Sequence, residues 1–133
     1  MPKRREKTEP EPLPTEAELE ILQILWVSGP QTVREVHEAL SSKQIGYTTV
    51  LKQMQIMSEK GLLTRNERYR SHVYAAKLPR ERTQHRLVMN LVERAFSGSA
   101  KNLVLGALSA QPVSKAELAE IRQMLQQFEE ESR

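Results

Sequence analysis

The sequence has no cysteine and no aspartate. The first absence excludes disulfides, Cys-ligated zinc or copper, and thiol catalysis in one step. The second weakens any catalytic reading of the three histidines, His37, His72 and His85, which are scattered along the chain with no aspartate to orient them. Long apolar runs are also missing. No stretch approaches the roughly 18 consecutive apolar residues of a membrane span, so no membrane insertion is expected. The opening segment MPKRREKTEPEPLP lacks the apolar centre of a secretory signal. These absences predict a cytoplasmic protein that is not an enzyme and needs no cofactor or metal.

What is present is a soluble composition, 38% hydrophobic and 28% charged over 133 residues, enough for one or two small cores. The net charge is only +3, but it is unevenly spread. Residues 13–45 carry Arg34 and Lys43 against five glutamates, a net −3. Residues 46–86 carry nine Lys or Arg against Glu59, Glu67 and Glu81, a net +6. A cationic cluster of this kind is what a polyanionic partner such as nucleic acid requires, and it also describes an ordinary solvated basic face.

Residues 1–12 mix charge with proline and are expected to form a flexible N-terminal arm. Thr15-Glu16-Ala17-Glu18 then has the pattern of a capping box, in which a Thr hydroxyl and a Glu carboxylate satisfy the free amides of a helix start. The helix it opens places Leu19, Leu22 and Trp26 on one face, with Ile21 and Leu25 alongside, and stops at Ser28-Gly29-Pro30. Thr32-Val33-Arg34-Glu35 is a second box, before a short helix with Val33, Val36 and Leu40 inward. The polar connector SSKQIG follows.

The stretch GYTTVLKQMQIMSEKGLL divides its labour unusually. Tyr47, Val50, Leu51, Met54 and Met57 recur at helical spacing and form an apolar face, and Lys60-Gly61 is a stop. The opposite face carries Thr48, Thr49, Lys52, Gln53 and Gln55 in place of the Glu–Lys pairs of a merely solvated helix. Hydroxyls, amides and one cation can bond base edges and phosphates without repelling DNA. Thr48 has a second available role as the helix N-cap. Beyond the glycine the period changes, and residues 62–65 and 72–75 have strand character around a basic tip, Asn66 to Ser71, that contains Arg68 and Arg70. Three helices and a two-stranded basic hairpin make a winged-helix plan over residues 13–78. Such a helix fits the major groove while the hairpin follows the backbone.

Residues 79–133 predict three further helices: Arg80 to Phe96 with Leu87, Val88 and Leu91 apolar, a break at Ser97-Gly98, Ser99 to Leu108, and a last helix behind a third capping box at Ser114. In the last, Leu118, Ile121, Leu125 and Phe128 follow 3-4-3 spacing, the seam of a helix pair. So many apolar positions suit a homodimer interface, made of Leu87, Leu91, Phe96, Leu103, Leu108, Leu118, Ile121, Met124, Leu125 and Phe128. A helical adaptor that binds other proteins through the same seam is the alternative, although an adaptor needs no basic hairpin. The fold class is thus mainly α with a small β-hairpin wing.

The segments LPTEAELEILQILWVSGPQTVREVHEAL, YTTVLKQMQIMSEKGLLTR and AFSGSAKNLVLGAL, in this order, closely resemble the penicillinase-repressor family of the BlaI/MecI type, with its copper-responsive CopY branch. The resemblance runs from about Leu13 to Phe128. It implies a dimeric winged-helix transcriptional repressor of palindromic, double-stranded operator DNA, released in several members when a membrane-bound sensor protease cleaves it. It also implies a recognition helix carrying Thr48, Thr49 and Lys52 and a wing arginine at Arg70. With Thr32, Tyr47, Gln53, Gln55, Arg65 and Arg68, these are the expected DNA-binding residues. The chain departs from the family at Ile56, where an arginine is common, and at Tyr69, where the wing usually has glycine. It lacks the cysteine cluster of the copper branch. Gly106-Ala107 stands where the family has its cleavable Asn-Phe pair and marks the candidate cleavage point.

Overall fold

The computed structural model describes residues 12–67 and 70–132. All but Pro12 of the expected N-terminal arm, together with Arg68 and Tyr69 of the wing tip, lie outside the described residues. The helices are α1 (Glu16–Ser28), α2 (Val33–Ala39), α3 (Tyr47–Lys60), α4 (Arg80–Ala95), α5 (Ala100–Ala110) and α6 (Lys115–Glu131), with a 3-10 turn at Ser41–Lys43. The strands are β1 (Gln31–Thr32), β2 (Leu63–Asn66) and β3 (Val73–Ala76). This is a winged helix followed by a helical region. No helix among the described residues is long and apolar enough to cross a membrane.

Local chemistry explains the boundaries. Thr15 and Thr32 both close full capping boxes, accepting from the amides of Glu18 and Glu35 while those carboxylates accept from the cap amides. Ser114 caps α6 by accepting from the Glu117 amide at 3.0 Å. Gly61 ends α3 in the left-handed conformation (φ +90°), where a Cβ would be strained. The cap of α3 is Gly46, not Thr48, and it makes no side-chain bond. Thr48 therefore sits inside the first turn, with no hydrogen bond to its hydroxyl among the described residues.

The wing has three strands in the order β1-β3-β2, all antiparallel, rather than two. Leu63 to Asn66 pair with Ala76 to Val73, one residue later than the spacing predicts, and Gln31–Thr32 pair with Tyr74–Val73 on the other side of β3. The short β1 anchors the hairpin to the start of α2.

The chain divides into two compact units between Val88 and Met89, inside α4. The expected boundary at Pro79 falls earlier, because the first turns of α4 belong to the winged unit: Thr83 is buried, and the Trp26 indole Nε1 donates to the Leu78 carbonyl at 3.1 Å. The core of that unit gathers Ile21, Leu22 and Leu25 from α1, Val33 and Val36 from α2, Val50, Met54 and Met57 from α3, and Leu63 and Tyr74 from the wing. Tyr47 departs from expectation. It lies on the angular stripe of Met54, but as the first residue of α3 it is exposed, edge-on to His37 with ring centroids 5.9 Å apart.

In the second unit no residue of α5 or α6 is fully buried.

Candidate nucleic-acid interface

At 100° per residue, α3 presents three distinct surfaces. Val50, Met54 and Met57 point into the core. Gln53 and Lys60, two turns apart, point toward α1. The Lys60 ammonium donates to both Glu18 oxygens at 2.8 and 2.9 Å, and the Gln53 amide donates to Glu18 Oε2 at 3.3 Å. Gln53 is therefore turned away from the open face and spent inside the fold. Thr48, Lys52 and Gln55, spaced i, i+4, i+7, share the third surface, and all three are exposed. None has a hydrogen bond or ion pair among the described residues. Thr49 is exposed beside a small crevice of about 70 Å³ bordered by Ala17, Ile21 and Ile45, on the α1 side of the helix.

Beside the open surface runs a groove of about 280 Å³ between α3, the start of α2 and the wing. Gln55 and Tyr47 form its α3 wall, Thr32 and Arg34 its α2 wall, and Arg65, Arg70 and His72 its wing wall. Thr32 lines the groove while its hydroxyl oxygen caps α2. Its role there is at least half structural. Arg65 is held charged by the Tyr74 hydroxyl and by an ion pair with Glu67, so its charge is partly answered within the protein. Arg70 and Arg34 are exposed and have no partner among the described residues. Arg34 is a site residue that the sequence pattern did not single out. Its signal was present: it follows the cap Thr32 by two positions and lies off the Val33–Val36 stripe, which leaves it outward at the groove. His37, whose Nε2–H donates to the Ile45 carbonyl at 2.8 Å, pins α2 to the connector before α3 and backs Tyr47.

Glu18 is the one carboxylate buried among the described residues, at 2% exposure. Burial alone would raise its pKa, and this is the largest single influence. The Lys60 bond and charge and the Thr15 amide together outweigh it and hold the group below the usual carboxylate range.

The chemistry on offer is therefore that of a polyanion surface: uncommitted hydroxyl, amide and ammonium donors on a protruding helix, flanked by arginines at a groove. The family model described as "Penicillinase repressor" matches residues 14–127, from the residue before the first cap to within the last turns of α6. The chain belongs to the penicillinase repressor family. Two relatives in it are "Transcriptional regulator BlaI" of Mycobacterium tuberculosis strains CDC 1551 / Oshkosh and ATCC 25618 / H37Rv, each 32% identical over 87 residues. That stretch covers 64% of this chain and 63% of each relative, so less than two thirds of their length is matched. The description of the family and the names of these relatives are those of regulators of transcription.

The remaining expected residues lie in or beside the second unit of this repressor-family chain. Leu91, Leu118, Met124, Leu125 and Phe128 are exposed in the single chain, Phe128 at 67%. Leu87, Phe96, Leu103, Leu108 and Ile121 are half-buried, so part of their apolar surface is already covered within the chain. Gly106 is half-buried and Ala107 exposed, both within α5.

Proposed function

We propose that the chain is a repressor that binds palindromic, double-stranded operator DNA as a homodimer, with α3 in the major groove and the wing along the adjacent backbone. The observation that carries this reading is the Thr48–Lys52–Gln55 surface, free of partners among the described residues and beside Arg34 and Arg70. Thr48, Lys52 and Gln55 read base edges, with Thr49 at the flank, while Arg34, Arg65 and Arg70 hold phosphates. Gln53 has no part in it. The exposed stripe of α6 supports dimerisation, since Leu118, Ile121, Leu125 and Phe128 repeat at the spacing of a helix pair and Leu118, Leu125 and Phe128 are exposed in the single chain. A self-complementary stripe accounts for it without an adaptor role. Fluorescence anisotropy with labelled duplex at several salt concentrations tests the reading. Affinity should fall steeply with salt, and half-sites should be centred about 10 base pairs apart or at a multiple of that. A monomer with salt-independent affinity would refute it.

Release from the operator by cleavage within α5, by a membrane-bound sensor protease, completes the proposal. The Gly106–Ala107 bond sits in a helix with no fully buried residue. Close packing does not require the glycine: a Cβ there would meet the Phe96 ring at 3.9 Å, an ordinary contact. Gly106→Ala should therefore stabilise α5 by up to about 1 kcal/mol and slow cutting by a broad-specificity protease about fivefold, because the cut requires local opening. Mass spectrometry of timed digests measures this. Equal rates would show that α5 need not open.

A further inference from the structure

Glu18 lies on α1, on the far side of α3 from the groove, yet it is where the recognition surface is secured. Its carboxylate takes both Lys60 contacts, the Gln53 amide and the Thr15 amide, the last at 2.9 Å. Lys60 and Gln53 are seven residues apart, so the contacts grip two turns of α3 along one stripe. A second acidic residue of α1, Glu20, pairs with Lys43 in the 3-10 turn ahead of α3 at 3.1 Å, though this pair is open to solvent and screened by salt. Between these two points the α1–α3 contact is incompletely filled, with the crevice bordered by Ala17, Ile21, Thr49 and Gln53. Apolar packing of Val50, Met54 and Met57 fixes the depth of α3 but is non-directional and tolerates a small roll of the helix about its axis. Hydrogen bonds to a buried carboxylate do not tolerate it.

We propose that Glu18, through Lys60 and Gln53, is a positioning residue that sets the roll of α3 and hence the sequence discrimination of the repressor; this rests on the reading of α3 as the recognition helix. Base-edge contacts need side chains placed within about 0.5 Å, whereas long arginines find phosphates over a wider range. A loosened α3 should therefore lose selectivity before it loses DNA.

The test uses the full chain and two probes: a duplex selected from a random pool by the wild-type protein, and a mixed-sequence duplex of equal length. Binding is measured at a temperature where circular dichroism shows each variant folded. Lys60→Met should cut the ratio of selected to mixed affinity by about tenfold, the loss expected for one well-aligned base contact, with affinity for mixed duplex nearly unchanged because Lys60 points toward α1, away from the open face of α3. Lys60→Arg, which keeps the charge and the donors, should restore most of the ratio. Should Lys60→Met fail to fold, Gln53→Met removes one of the grips and should lower the ratio about threefold. A ratio preserved in folded variants, or parallel loss on both duplexes, overturns the positioning role and leaves the recognition-helix reading intact. A wild-type chain that selects no sequence overturns both.

Discussion

Cutting the chain after Val88 should leave a folded, monomeric winged domain that binds a two-half-site operator about 10²- to 10⁴-fold more weakly than the full chain. The winged unit carries its own core, and the cut preserves the α4 turns that bury Thr83 and the Leu78 carbonyl that receives Trp26. The loss removes the exposed stripe of α6 with the rest of the second unit. Each half-site then binds without a tethered neighbour, and the effective concentration supplied by the dimer disappears. Cutting after Leu78 should be worse, because it strips the first turns of α4 from the winged core and lowers its thermal midpoint. Sedimentation of both fragments and titration against one and two half-sites measure these outcomes. A Val88 fragment that dimerises, or that matches the full chain on a double site, would move the dimer interface into the winged unit.

Local patterning made most of the winged unit legible. Helix starts followed from Thr-x-x-Glu boxes, and the core followed from aliphatic spacing, because both signals reside within one turn or two of the chain. The errors share a different cause, which is dependence on distant partners. Strand β1 is two polar residues, Gln31 and Thr32, with no alternation to detect, and it is a strand only because β3 arrives beside it. Gln53 and Gln55 are chemically identical and two positions apart, and only the arrival of Glu18 from α1, 35 positions earlier, decides that one is internal and the other open. Tyr47 has the right angle for the core but is the first residue of α3 and stays exposed. Glu18 was visible as a capping residue but not as the buried partner of Lys60, since a capping box says nothing about what packs over it. In the second unit the apolar stripe was equally plain, and Leu125 and Phe128 are exposed in the single chain, where the proposed dimer would cover them.

The roles assigned within the interface separate experimentally. Arg34→Ala with Arg70→Ala should weaken selected and mixed duplex alike, and should flatten the slope of log affinity against log salt by about 2, since each phosphate contact contributes roughly 0.9. Lys52→Ala with Gln55→Ala should leave binding to mixed duplex within about threefold, allowing for one lost charge, while discrimination falls about 10- to 100-fold, the usual range for lost base contacts. Arg65→Ala should also weaken both duplexes, because it removes a cation and leaves the Glu67 carboxylate unpaired close to the groove. All of these side chains are exposed and outside the core, so thermal midpoints should stay close to wild type and the binding changes can be attributed to contact rather than folding. Titrations on both duplexes at four salt concentrations resolve slope from ratio. If the arginine pair altered the ratio, or the Lys52–Gln55 pair altered the slope by 2, the groove and the helix face would have exchanged functions: the arginines at the wing and α2 would be reading sequence, and α3 would be lying along the backbone.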